Sequence, residues 1–465
     1  MEGQEKFERF IQRYPHPHKN FFERAHVTRR RFFEILGAGV TASYLCGKLR
    51  AADEVTLASV TPKNTARNVI FILLAGAPSH IDTFDLKVVP GITPASFNPT
   101  PTNGLLWPAG LLPKLGQHLP DITIVRSMRA WALVHSLAQT WTQIGRNPAA
   151  ALGNIAPHIG SVVAIEKDAE RRPGQVFPTF LALNSNNAAG SGYFAAQYAP
   201  FKVTPSTQGI ADTVNPDDPT GTGRFTNRWN LLHALDDPLR MNSPLGKDPE
   251  NYDNFYSAAK GMMYNPAVDQ AFKFSDGDSQ RYGHGSFGNA CLVAKQVLAA
   301  DQGTRFIQIT LGGWDMHSNI YAANQLPALG KTLDDGVSTL LDDLKSSGLL
   351  DHTMVVMAGE FGRTVGGLSG AQGRDHYLQQ FAVFAGGGVK GGRTIGSTND
   401  QGSATADYGW SRNRDIKPED IEATIYSAMG INLTTVRKDD PFGRGFYYVP
   451  FSDQNVYGPI DELWG

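Results

Sequence analysis

Cysteine is almost missing from this chain: Cys46 and Cys291 are its two thiols. Cys46 falls in a stretch that reads as an export signal, so a processed chain would keep one thiol and no internal disulfide framework. Thiolate zinc sites, which need several cysteines, are excluded by the same count. Surplus charge is missing too. With 42 Lys+Arg against 44 Asp+Glu the formal net charge is -2, which gives no basic face for a nucleic-acid partner. No apolar run is long enough to span a bilayer comfortably. There is no internal repeat, heptad array or low-complexity tract, and Gly386 to Gly392 (GGGVKGG) is not a Walker loop, because no Lys-Ser/Thr follows in frame. What remains is a chain of 465 residues, 41% hydrophobic, with material for a sizeable core in one large domain or two. Its 49 Gly and 28 Pro predict plentiful loops.

Near the N-terminus, Thr28-Arg29-Arg30-Arg31-Phe32-Phe33 precedes the short apolar run Ile35 to Cys46. A twin arginine before a weakly hydrophobic, Gly/Ala-rich segment reads as a Tat export signal over residues 1–52; the plainer alternative is an amphipathic helix with a basic start. Export by the Tat machinery predicts a periplasmic or extracellular protein with no stable transmembrane span in its mature form. Tat carries folded proteins, which suits one that acquires a metal before export.

The organising stretch is Thr304 to Asn319, TRFIQITLGGWDMHSN. Arg305 to Leu311 reads as a buried strand, Gly312-Gly313 ends it, and Asp315 and His317 follow at its exit. Leu326, Leu329, Leu333, Val337, Leu340, Leu341 and Leu344 then mark one face of a helix, and Thr353 to Ala358 is a second buried strand. Such a βαβ unit has parallel strands and a right-handed crossover, so both exits share one sheet edge, where open α/β sheets bind ligands. The second exit, GEFGRT, brings Glu360 and Arg363; GRDHY brings Arg374, Asp375 and His376 ahead of another apolar run, Phe381 to Ala385. Asp315, His317, Glu360, Asp375 and His376 are thereby expected as oxygen and nitrogen ligands of a divalent metal. The set is hard to borderline, so zinc, manganese, magnesium and calcium all suit it.

Two further strands add candidates. Asn68 to Ala75 (NVIFILLA) exits into GAPSHIDTFD, which carries His80, Asp82 and Asp85; Asp82 is either a ligand or a turn cap. Asp121 to Ser127 leads into the helical segment Ala132 to Gly145, with Ser136 near its first turn. Free N–H groups and the helix dipole there favour an alkoxide or a bound phosphate or sulfate, and an ordinary capping role accounts for Ser136 as well. Arg363 could supply positive charge to a transferring group, whereas Arg374 is expected to pair a structural carboxylate. From Asn184 to about Gly285 the composition turns polar, predicting a cap insertion with helices near Arg228 to Ala234 and Asn254 to Phe274. His284 is expected to be exposed. Lys417-Pro418-Glu419-Asp420 starts a helix from Ile421 to Met429.

Taken together, NVIFILLAGAPSHIDTFD, HSLAQTWTQIG, LGGWDMHSN, GEFGRT and GRDHY resemble the DUF1501 family of exported bacterial proteins, placed in the alkaline phosphatase/sulfatase superfamily. The likeness runs from about Asn68 to Phe442. It implies an alkaline phosphatase-like three-layer α/β sandwich over residues 64–450, with a central, mostly parallel sheet, a cap insertion at about 184–285 and a tail at 451–465. It further implies one or two divalent ions and a nucleophile attacking phosphorus or sulfur in an ester substrate. By motif, Asp315, His317 and His376 match the ligands of one metal, Glu360 a carboxylate of the other, and Ser136 the nucleophile. Two departures stand out. Ala77 occupies the place of the usual Asp after the first strand, so Asp82 would have to substitute, and Glu360-Phe361 replaces an Asp-His pair. The resemblance thus leaves two readings open: a metal-dependent phosphate or sulfate ester hydrolase, and a non-catalytic protein of the same fold keeping at most one metal.

Overall fold

The computed structural model describes residues 61–465 apart from 103, 216, 219, 222 and 241–256. The twin-arginine segment, Cys46 and the start of the helix expected from Asn254 lie outside the described residues.

Eight strands form the central sheet: β1 (Asn68–Leu74), β2 (Ile122–Arg129), β3 (Phe180–Leu183), β4 (Phe201–Val203), β5 (Phe306–Leu311), β6 (Thr353–Ala358), β7 (Gln379–Ala385) and β8 (Arg393–Ile395). Their order across the sheet is β8-β2-β7-β6-β1-β5-β3-β4. β1 pairs in parallel with β5 (Val69 opposite Phe306) and with β6 (Asn68 opposite Thr353). β7 alone runs the other way, antiparallel to both β2 and β6. The carboxyl ends of β1, β2, β5 and β6 and the start of β7 therefore meet at one edge. This is the mostly parallel α/β sheet expected from the sequence.

Strands buried on both faces read as unbroken apolar runs, and β1 (NVIFILL) is buried at every position. Successive side chains point to opposite faces, which separates its residues into two cores. Ile70, Ile72 and Leu74 pack in one core with Val293 and Val297 of α3 (Ser286–Ala300) and with Leu333, Val337 and Leu340 of α4 (Leu326–Ser346). Val69, Phe71 and Leu73 pack in the other with Val162 and Val163 of α2 (Ile159–Lys167) and Ile421 and Ile425 of α5 (Pro418–Ala428). The layers are thus helix, sheet, helix. α1 (His135–Ile144) follows β2 at the edge where the strand exits meet.

The segment 184–285 holds a helix at Arg224–Arg240 and shorter ones at Pro266–Phe272 and Asp276–Arg281. It is not wholly an addition over the domain. Phe201–Val203 is the outermost strand of the central sheet, parallel to β3, and Val268, Ala271 and Phe272 join the core on the α3–α4 side.

α5 is buried along all 11 of its residues, which puts a carboxyl group in the core. Oε1 of Glu422 accepts the Tyr426 hydroxyl at 2.9 Å, while Oε2 has no partner. Burial pushes the Glu422 pKa up to about 8. A carboxyl whose pKa is higher in the fold than in the unfolded chain favours folding at low pH, and that stability is lost as pH rises through the folded value. Glu422→Gln should therefore match the parent in melting temperature near pH 5 and exceed it by a few degrees near pH 8, measured by calorimetry across that range.

Candidate metal centre

The edge where the strand exits meet gathers one imidazole from each of three places. His135 opens α1 after β2, His317 follows β5 by way of the Gly312-Gly313 break, and His376 lies just ahead of β7. Asp315 arrives with His317. Nε2 of His376 lies 3.0 Å from Nε2 of His135 and 3.1 Å from Nε2 of His317. Oδ1 of Asp315 lies 3.1, 2.9 and 3.6 Å from Nε2 of His135, His317 and His376 in turn. An ion held at zinc–nitrogen distances spaces neighbouring ligand atoms about 3.3 Å apart, and these five separations are of that size.

The second nitrogen of each ring fixes this arrangement. Nδ1 of His135 donates to Glu360 Oε1 at 2.6 Å, Nδ1 of His317 to Asp375 Oδ1 at 2.8 Å, and Nδ1 of His376 to the Leu133 carbonyl at 2.7 Å. With the proton held on Nδ1 by an oxygen acceptor, each Nε2 presents a lone pair. Three such lone pairs and a carboxylate oxygen repel one another unless a cation stands between them. Outer carboxylates and carbonyls that orient metal-binding imidazoles act in this way. Charge agrees: with neutral imidazoles, Asp315, Glu360 and Asp375 face one guanidinium, Arg363, and a divalent ion would cancel the excess. His135, Asp315, His317 and His376 are the one group among the described residues whose donor atoms, all within 4.8 Å of one another, could hold a metal ion.

Backbone geometry brings the pieces this close. Gly76, at the exit of β1, has φ of +101°, and a Cβ there would stand 2.7 Å from the Asp315 backbone nitrogen. Ala77 follows at φ of +64°, which turns this stretch around Arg363. The buried guanidinium donates through Nε to the Ala77 carbonyl at 2.9 Å, through Nη1 to the Arg374 carbonyl at 3.1 Å, and through Nη2 to the Gly76 carbonyl and to Asp315 Oδ1, the latter at 2.6 Å. Gly373 is required for a similar reason, since a Cβ there would stand 2.0 Å from the His317 carbonyl carbon.

These contacts set the electrostatics. The Glu360 hydrogen bond raises the His135 pKa above the ordinary imidazole value, against the opposing effect of burial. At Asp315 burial acts to raise the pKa, but the hydrogen bond and charge of Arg363 prevail and hold the carboxyl below its usual range.

Of the residues expected from the sequence, Asp315, His317 and His376 come together and Asp375 stands behind His317. Glu360 is 1% exposed and sits behind His135: its Oε1 takes the Gly76 N–H and the Gln139 amide at 2.9 Å each besides the His135 proton, and Oε2 has no partner. Asp82 lies outside the cluster, where Oδ2 accepts Arg374 Nε at 2.7 Å and Ser79 Oγ at 2.5 Å and Oδ1 accepts the Tyr321 hydroxyl at 2.7 Å. Its charge is fully used by those partners, and Arg374 is committed to the same pair. His80 is buried against the Gly402 carbonyl at 2.8 Å, Asp85 accepts the Thr398 hydroxyl at 2.5 Å, and His284 is exposed. Ser136 is the second residue of α1 and its side chain faces solvent. Sequence reasoning passed over its neighbour His135. The signal was present, an imidazole soon after a strand exit, as with Asp315 and His317.

The family model described as "Protein of unknown function (DUF1501)" matches residues 66–446. No curated protein matches the chain. Among solved structures the chain is similar to a sulfatase from Pseudoalteromonas sp., with 12% identity, a TM-score of 0.38, and 80% of this chain and 68% of that one covered. It is similar also to a protein in the alkaline phosphatase superfamily from Vibrio parahaemolyticus, with 11% identity, a TM-score of 0.38 and coverage of 82% and 72%. A third is the C-terminal periplasmic domain of EcEptC from Escherichia coli in complex with Zn, with 9% identity, a TM-score of 0.38 and coverage of 80% and 85%.

His135→Ala removes a donor atom, and Glu360→Gln leaves the donor but weakens its orientation. Competition with a zinc-binding dye should show the first variant losing at least 100-fold in zinc affinity and the second about 10- to 100-fold. Asp82→Asn, which touches no donor atom, should bind zinc as the parent does while melting at lower temperature, because it leaves Arg374 buried without its counter-charge.

Proposed function

We propose that this chain, which belongs to the family described as "Protein of unknown function (DUF1501)", is an exported, metal-dependent hydrolase of phosphate or sulfate esters that works with one ion. The observation that carries this reading is the convergence of three imidazole lone pairs and the Asp315 carboxylate on one point, with His317 and Asp315 about half exposed (44% and 46%). Three imidazoles favour a borderline ion such as zinc over magnesium or calcium, which prefer oxygen. When bound, such an ion supplies Lewis acidity, polarising an ester oxygen and easing deprotonation of a hydroxyl.

The protein's own groups would divide the remaining work. Ser136 stands one residue from a metal ligand, at a helix start where no side chain caps the first turn, so free N–H groups favour an oxyanion on its hydroxyl. That makes Ser136 the nucleophile of this reading. Arg363 already donates to backbone carbonyls and Asp315, and so contributes fixed charge beneath the site rather than a direct grip on substrate. It stands in for the second positive centre, since Glu360 and Asp82 are each taken up by other partners. Export rests on the twin-arginine motif Thr28 to Phe33. No helix among the described residues is long and apolar enough to cross a membrane.

One observation favours a second reading. Four protein donors are as many as a closed structural zinc site uses, and a non-catalytic protein stabilised by its ion would offer the same set. The test is elemental analysis of the purified chain together with turnover of nitrophenyl phosphate, bis-nitrophenyl phosphate and nitrophenyl sulfate. The hydrolase reading expects about one ion per chain and turnover of at least one ester. Ser136→Ala should lose more than 100-fold in rate while keeping its metal, and His135→Ala should lose both. A tightly held ion with no turnover of any ester would select the structural reading.

A further inference from the structure

The run Trp131-Ala132-Leu133-Val134 leads from β2 to His135, and its three large apolar side chains are exposed by 44%, 39% and 59%. Exposed apolar residues are normally scattered singly; here three fall within four positions and form an apolar wall that runs up to His135 of the candidate metal cluster. The wall is held in place. The Leu133 carbonyl accepts the His376 Nδ1 proton at 2.7 Å. Trp131 stacks on Trp141 with ring centroids 6.0 Å apart, and both indoles donate at 2.9 Å to the buried carboxylate of Glu419. Lys417 Nζ lies 4.1 Å from the Trp131 ring centroid. Val134 also occupies the N-cap position of α1, where a polar side chain would serve the helix better. Local stability therefore does not account for it.

We propose that this wall receives the apolar alcohol portion of the substrate, so that the chain acts on phosphate or sulfate monoesters of alkyl or aryl alcohols rather than of polyhydroxylated ones. The inference rests on the hydrolase reading for the head group. The occupant follows from continuity: the wall belongs to the same backbone run as His135 and is tied by hydrogen bond to His376, so a ligand whose anionic head sits at the cluster lays its ester group against Leu133 and Val134.

The test uses the zinc-loaded full chain and alkylphosphonates, which present the head group but are not hydrolysed. Calorimetry from methyl- to hexylphosphonate should show affinity rising about twofold per methylene, half of the roughly fourfold that full burial gives. In Val134→Ser that rise should flatten, with methylphosphonate affinity and zinc content unchanged; Val134→Leu should keep it. Equal affinity for methyl- and hexylphosphonate in the parent overturns the proposal, as does a rise that persists in Val134→Ser. A wall that serves a second copy or a membrane would show itself as self-association or vesicle binding lost in Val134→Ser, without chain-length preference, and also overturns it. Selective phosphonate binding without ester turnover removes the hydrolase reading alone, and turnover of esters without chain-length preference removes this one alone.

Discussion

Like partial charges brought together favour an opposite charge between them, and the edge of this sheet gathers four such donor atoms that could hold a metal ion. Three Nε2 atoms and a carboxylate oxygen lie within 4.8 Å of one another, while Glu360, Asp375 and the Leu133 carbonyl hold the other side of each ring. Those three acceptors do not belong to one element. They come from the exit of β6, the approach to β7 and the lead into α1, so the rings are fixed only when several strands are in register.

The sheet topology supplies that register. Parallel strands β1, β5 and β6 deliver Gly76, Asp315 and Glu360 to one edge, β2 delivers His135, and the reversed β7 lets His376 arrive from the opposite direction. Arg363 ties the exits together: its guanidinium gathers carbonyls from Gly76, Ala77 and Arg374 and holds Asp315. A buried cation with this many partners loses much of its desolvation cost to hydrogen bonds, and the left-handed backbone at Gly76 and Ala77 aims the carbonyls.

Much of this was legible in the sequence, and the parts that were not failed for identifiable reasons. β1, β5, β6 and α4 announce themselves by long apolar runs or a clear helical face, and Asp315, His317 and His376 follow from strand exits. β4 has three residues and a half-open face, too short for any periodicity, so the polar composition around it read as an insertion. Side-chain type does not reveal the partner. Glu360 and Asp82 are carboxylates at strand exits like Asp315, yet one ends behind His135 and the other against Arg374, distinctions made by contacts hundreds of positions apart in the chain. At the start of α1 two adjacent residues competed for attention, and what marks out His135 is its hydrogen bond to Glu360, 225 positions away, which the local sequence does not display.

The reversed strand also dictates an order of events during synthesis. β1 leaves the ribosome early but pairs with β5 and β6, which emerge only after most of the chain has been made. β7, which places His376, comes later still. A growing polypeptide therefore carries β1 without these two partners, and without His317 and His376, until its final third is made.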